Sequence, residues 1–190
     1  MATDTEKLIK KIDKFGKKHL TTKRYEHSVR VAQMCEEICA IFGMDGRKGY
    51  LCGISHDICK EVPKDKMLKM VRKAGYLVSD YELNNLTLLH GKAGKVRLEK
   101  KMHMKDQDVL RAVEEHVCGH VDMGDFGKVL YVADKSERGR PHVTPEYLEK
   151  LFAMDLDQML KSVVTDTMNH LERKGYTIYP ETKELYDSLQ

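Results

Sequence analysis

Ser55-His56-Asp57-Ile58-Cys59-Lys60 closes an apolar run that begins near Asp45 and carries Tyr50, Leu51, Ile54 and Ile58 at helical spacing. Pro63 disfavours helical geometry in the residue before it, so the helix must stop close by and His56 and Asp57 fall in its last turns. Neighbours on a helix point about 100° apart, yet both side chains lean toward an ion lying over the surface between them. The carboxylate of Asp57 has two oxygens and bridges two ions; a neutral imidazole binds one. A histidine and an aspartate side by side at the end of a buried helix are hard to account for by packing. They read as half of a metal site.

The other half must come from elsewhere, and four residues qualify: His27, His90, His116 and Asp134. Thr21 or Thr22 caps a helix running to about Phe42, whose inward stripe is Tyr25, Val29, Ala32, Cys35, Ile38, Cys39 and Phe42; His27 stands near the edge of that stripe. A segment capped by Ser79 or Asp80 passes through Leu83, Leu86, Leu88 and Leu89 to His90-Gly91, where the glycine lets the backbone turn sharply. Asp106 caps the run Val109, Leu110, Val113 that reaches His116, and the apolar run Phe126 to Ala133 delivers Asp134. Each of these four except His27 is expected at an element boundary, where side chains from several helices converge.

The rest of the chain is helical by the same reasoning. Residues 4 to 19 form an amphipathic helix with Leu8, Ile9, Ile12 and Phe15 inward and six lysines outside, a solvated face. A short helix with Met67, Leu68 and Val71 inward closes at Gly75, and another runs from Lys92 to Met102. Thr144-Pro145 starts a helix through Phe152, residues 155 to 174 form a long one, and Pro180 begins the last. No stretch alternates in the manner of a strand, so the expected fold class is all-α, a bundle of eight to ten helices. One domain is expected over residues 1–190, with a core at about 20–140 and the helices of 144–189 packed on it.

Composition narrows the setting. With 41% hydrophobic and 33% charged residues the chain is an ordinary globular one. A net charge of +3 does not point to nucleic acid. No apolar run approaches the ~20 residues that span a bilayer and the N-terminus lacks a signal pattern, so a cytoplasmic protein is expected, with no membrane partner. The five cysteines form no C-x-x-C pair and read as reduced, mostly buried thiols. The metal ligands are therefore nitrogen and oxygen.

His27, His56, Asp57, His90, His116 and Asp134 together supply four imidazoles and two carboxylates, enough for two ions with positions left open for water and substrate oxygens. Ions about 3.5–4 Å apart make hydroxide available near neutral pH and neutralise phosphate charge. Lys60, Lys135, Arg138 and Arg140 follow the ligands closely and are candidate phosphate holders, Arg138 and Arg140 on a loop whose intervening Gly139 permits close approach. Arg24 and His120 are further candidates for substrate contact.

Tyr25-Glu26-His27-Ser28-Val29-Arg30, Ser55 to Lys60 and Tyr131-Val132-Ala133-Asp134-Lys135 resemble the H…HD…D signature of the HD-domain metal phosphohydrolases. Leu88-Leu89-His90-Gly91, Glu115-His116, Asp134-Lys135-Ser136-Glu137 followed by Arg140, and Ile178-Tyr179-Pro180-Glu181-Thr182 are similar to one branch, the YqeK-type bacterial symmetrical diadenosine tetraphosphatases. The resemblance covers about residues 20 to 188. It implies an HD-domain helical bundle that cuts diadenosine tetraphosphate into two ADP by a metal-activated hydroxide.

It also implies that His27, His56, Asp57 and Asp134 hold one ion, and His90 and His116 with the shared Asp57 the second. Asp57, Lys60 and Arg140 are then the catalytic group, and Arg24, Lys60, His120, Lys135, Arg138 and Arg140 contact substrate. The resemblance makes both ions iron, divalent or trivalent; the ligands alone also admit manganese or zinc. This chain departs from the branch at Cys59, Val117 and His120, where a small aliphatic residue, a threonine and an arginine are usual. The partner is a dinucleoside polyphosphate or other nucleotide, and a homodimer is compatible with the sequence. The alternatives are an HD-type phosphatase acting on a mono- or deoxynucleotide, and a non-catalytic nucleotide-sensing module.

Overall fold

A computed structural model describes residues 3–190, and among them there are eleven α-helices and no strand. They are α1 Asp4–His19, α2 Thr22–Ile41, α3 Gly46–Ser55, α4 Lys64–Lys73, α5 Asp80–Asn84, α6 His90–Arg97, α7 Gln107–Glu115, α8 Asp125–Ser136, α9 Pro145–Phe152, α10 Leu156–Arg173 and α11 Pro180–Ser188. A 3₁₀ turn, Leu86–Leu89, leads into α6, and a π turn, Leu98–Met102, follows it. None of the helices is long and apolar enough to cross a membrane.

The starts are set by side chains that accept otherwise unpaired helix N–H groups. Thr21 takes Arg24 N, Asp45 takes Arg47 N and Lys48 N, and Asp106 takes Asp108 N and Val109 N. Ser79 with Glu82 and Asp155 with Gln158 form reciprocal capping boxes.

The count exceeds the expected eight to ten, and the stretch from Asp80 to Leu89 is not one piece. Asn85 leaves helical geometry at φ −139°, ψ 79°, and its side chain accepts from Thr87 N, which restarts the chain as the 3₁₀ turn.

α2 and α3 form the closest helix pair, and α2 also lies against α8. This corrects the expected stripe on α2. Tyr25, Val29 and Phe42 are only half-buried, while His27, Ser28, Val31, Ala32, Met34, Cys35, Ile38 and Cys39 are buried. A helix covered on two sides buries a wider arc than a single amphipathic stripe allows.

The approach of α3 depends on glycine. A Cβ on Gly53 would meet the Ala32 backbone, with its nitrogen 2.6 Å away, and one on Gly49 would meet the Cys35 carbonyl oxygen at 3.0 Å.

α7 and α8 pack on each other, and α6 packs on α7. Gly91 acts here in a way the sequence reading did not foresee. It does not turn the chain: α6 begins at His90 and runs through it. A Cβ on Gly91 would lie 2.6 Å from the Glu114 carbonyl oxygen, so its bareness lets α6 press onto α7. α10 covers α8 and α11 covers α10.

α3 ends at Ser55, not at Ile58 as the apolar pattern suggested. Beyond it the bonds shorten to three-residue steps: Ile58 N to Ser55 O, Lys60 N to Asp57 O and Val62 N to Cys59 O, at 2.9–3.1 Å. In this tighter winding residues i and i+3 eclipse, which brings Lys60 over Asp57, Nζ to Oδ1 3.9 Å.

Candidate metal centre

Four imidazoles and two carboxylates converge between α2, α6, α7, α8 and the turns after α3. His56, Asp57, His90 and His116 are each no more than 2% exposed, and His27 is 7% exposed. His27, His56 and Asp57 form one group and Asp57, His90 and His116 another, with ligand atoms within 4.8 Å of one another in each.

Asp57 is common to both. Its Oδ2 lies 3.4 Å from His56 Nε2 and 3.8 Å from His27 Nε2; its Oδ1 lies 3.3 Å from His90 Nε2 and 3.9 Å from His116 Nε2. Asp134 joins the first group, its Oδ1 being 3.1 Å from His27 Nε2 and 3.7 Å from His56 Nε2.

The far nitrogen of each ring is already committed. His56 Nδ1 donates to Gly53 O at 2.7 Å, His90 Nδ1 to Thr87 O at 2.6 Å and His116 Nδ1 to Val113 O at 2.7 Å. His27 Nδ1 donates to Glu137 Oε1 at 3.2 Å. With the proton held on Nδ1, all four Nε2 atoms present lone pairs to the centre.

Lone pairs then face each other, His27 to His56 at 3.3 Å and His90 to His116 at 3.1 Å, and Asp57 Oδ1 is buried without a hydrogen-bond partner among the described residues. Such an array of acceptors is stable only around positive charge. The donor set fits two cations, His27, His56 and Asp134 with one oxygen of Asp57 for the first, His90 and His116 with the other oxygen for the second. This is a divalent-metal site.

Electrostatics agree. Burial works against the Asp57 anion, but the adjacent His56 together with His90 and Lys60 outweighs it and holds the carboxyl well below the usual range. Asp134 behaves likewise: burial opposes, and Lys135 with His27 prevails. Burial pushes His116 well down and His90 down, keeping both rings neutral and able to ligate. At His56 burial is outweighed by the Asp57 carboxylate and the affinity for a proton rises, as expected where the surroundings call for a cation.

Four cations rim the cluster. Arg24 donates to Asp57 Oδ2 at 2.7 Å, and Lys60 Nζ sits 3.1 Å from His90 Nε2. Arg140 donates to Asp134 Oδ1 at 2.8 Å. Lys135 reaches Asp134 Oδ2 at 3.3 Å, donates to His116 O and lies over the Tyr131 ring, 3.7 Å from its centroid. Burial lowers the proton affinity of both Lys60 and Lys135 against the pull of Asp57 and Asp134.

The structure does not bring the other two candidates to this rim. Arg138 makes a two-pronged pair with Glu37 at 2.7 and 2.8 Å on the α2 surface. His120 is exposed, its Nδ1 accepting from Asp122 N. Gly139 makes room for a protein side chain, not a ligand: its added Cβ would strike the Arg30 guanidinium. Arg138→Ala should therefore change turnover by less than about twofold and stability by less than about 1 kcal/mol, as for other exposed pairs. A kinetic assay and a thermal melt check both.

Glu137 is a further functional residue, one that sequence reasoning misses. It is 2% exposed, accepts from Arg30 Nε at 2.5 Å and from Gly139 N, and orients His27 through Nδ1. The signal available in sequence was an acid three residues after Asp134; which ring it would meet depended on α8 folding across α2. A carboxylate behind a ligating histidine fixes its tautomer and raises its basicity, and losing such a partner costs about 10–100-fold in metal affinity or activity. Glu137→Gln should show a loss of that size in a metal titration; an unchanged titration would remove Glu137 from the site.

The chain has relatives among known proteins. The model of the HD domain matches residues 24–139, which include all six clustered residues. The chain belongs to the HD domain family. It is similar to the symmetrical bis(5'-nucleosyl)-tetraphosphatase of Bacillus subtilis, 31% identical over 91% of this chain and 92% of that one. It is equally similar to the protein of the same name in Staphylococcus aureus, 31% identical over 92% and 90%. A crystal structure of a predicted HD superfamily hydrolase involved in NAD metabolism, from Clostridium acetobutylicum, superposes with a TM-score of 0.88 at 31% identity over 95% of each chain.

Proposed function

We propose that this chain hydrolyses dinucleoside tetraphosphates, diadenosine tetraphosphate among them, at the middle anhydride bond, one water yielding two nucleoside diphosphates. The observation that carries the reading is the pair of histidine–carboxylate groups hinged on Asp57 inside a ring of four cations. The names of the Bacillus and Staphylococcus relatives support the substrate. The alternatives of a mononucleotide phosphatase and a silent sensor find no such support.

His27, His56, Asp57 and Asp134 would hold one ion, and His90, His116 and Asp57 the other. Bound there, the ions would supply a nucleophile from water near neutral pH and neutralise phosphate oxygens. The protein's own part is placement and charge. Arg24 and Lys60 lie on the Asp57 face and Arg140 and Lys135 on the Asp134 face, so a polyphosphate threading the centre meets cationic donors on both sides of the scissile bond. The leaving group is a nucleoside diphosphate, whose charge these donors stabilise as the bond breaks. Ring orientation is set beforehand by the four Nδ1 bonds, so no ligand needs to rotate when substrate arrives.

In this reading both ions are iron, for which the nitrogen–oxygen ligand set is suitable. The chain works as one unit, since α10 rests on α8 and Thr182 on α11 donates to Cys118 O near the centre. Four buried thiols and one half-buried thiol, all free, suit a cytoplasmic setting. The test is product identification with metal-loaded protein and elemental analysis of the same sample. ADP as sole product from diadenosine tetraphosphate is expected; ATP with AMP would refute symmetrical cleavage.

A further inference from the structure

The rings of Tyr81 and Tyr179 meet edge to face, centroids 6.2 Å apart and planes at 77°. The two segments that carry them also bear uncovered apolar side chains. Of the six large hydrophobic side chains that the described residues leave exposed, Leu77, Tyr81, Leu83 and Tyr176 all belong to the two segments that meet here, 74–85 and 174–179. Soluble proteins seldom leave such a cluster bare without use for it. A standard protein interface needs about 800 Å² per partner, more than two tyrosines and two leucines provide, whereas a flat heterocycle needs little more than one ring face.

Both segments lead directly into the metal centre. Asn85 donates its amide to the Tyr179 hydroxyl at 2.9 Å, fixing that ring, and the 3₁₀ turn after Asn85 ends at His90. Asn85 thus stands five residues along the chain from His90. On the other side, Thr182 hydrogen-bonds the carbonyl of Cys118, two residues beyond His116.

We propose that Tyr81 and Tyr179 are the platform on which one nucleobase of the substrate stacks, on the His90–His116 side of the centre. The inference rests on the tetraphosphate reading above and adds what that reading lacks, a seat for the base. A base anchored there would direct its own phosphates toward the His90–His116 side of the cluster.

The experiment reads binding, not turnover, with metal-loaded full-length protein. ADP and inorganic pyrophosphate are titrated calorimetrically into wild type, Tyr81→Ala, Tyr179→Ala and Tyr81→Phe. Each alanine variant should weaken ADP by about tenfold or more, the usual effect of losing a stacking aromatic, while pyrophosphate binds all four alike and the phenylalanine variant keeps wild-type affinity for ADP. Equal ADP binding by all four, weakening of pyrophosphate to the same degree, or wild-type protein that does not bind ADP would overturn the platform. So would alanine variants that shift a dimer to monomer in sedimentation with ADP affinity unchanged, which would make the patch an interface between copies. Protein that binds ADP as described but does not split the tetraphosphate would sink the hydrolase reading and leave the platform standing.

Discussion

Asp57→Ala is expected to lose diadenosine tetraphosphate hydrolysis by well over about 100-fold and to retain few bound ions, while its helical circular dichroism persists. The lower bound comes from comparison: removing even an outer partner of a ligand costs about 10–100-fold, and Asp57 is the one side chain that both groups share. The protein should remain folded because the partners left behind are not stranded. Arg24, which loses its 2.7 Å acceptor, is 32% exposed and regains water, and three of the four rings keep their Nδ1 bonds to backbone carbonyls. Product chromatography, elemental analysis and a thermal melt on one sample decide the matter. Activity within a few-fold of wild type would remove Asp57 from the centre.

Gly53→Ala is expected to have the largest effect on stability, about 3 kcal/mol, at the upper end of the range for overpacking. The reason is the identity of the obstacle. A flexible side-chain tip could move aside, but the new methyl would run into Ala32 Cα and N, backbone atoms in the middle of α2. For a chain of this length the loss corresponds to a fall in melting temperature of about 6–12 °C. Activity should fall more than the stability loss alone requires, because the Gly53 carbonyl orients His56, and separating α3 from α2 shifts that ring away from His27. A melt unchanged within about 2 °C would show that the helices relax without cost.

These two residues also mark what could and could not be read from sequence. His56 and Asp57 stood out because ionisable side chains at the end of an apolar helix have no packing rationale; His90, His116 and Asp134 followed as ligand types at element ends, and His27 as one at the edge of an apolar stripe. The helix starts were legible at Thr21 or Thr22, Ser79 or Asp80, and Asp106, and the structure puts the caps on Thr21, Ser79 and Asp106.

The end of α3 was less so, since Ile58 continues the apolar pattern although the backbone has already tightened. A glycine inside a helical pattern reports only weak propensity; that Gly53 and Gly91 mark the places where α3 meets α2 and α6 meets α7 needs both partners in view. Arg138 was a candidate for substrate and Glu137 had no assigned role for a related reason. Their neighbours in sequence are alike, but one points to Glu37 at the surface and the other inward to His27, and only the path of the chain after α8 separates them.

The three carbonyls that hold His56, His90 and His116 belong to Gly53, Thr87 and Val113, each three positions upstream of its own ring. Each of these ligands is thus braced by the turn that carries it, with no distant segment required to arrive first. If these rings ligate as proposed, metal is expected to enter a scaffold whose rings are already oriented, and helical circular dichroism should persist when a chelator removes the ions.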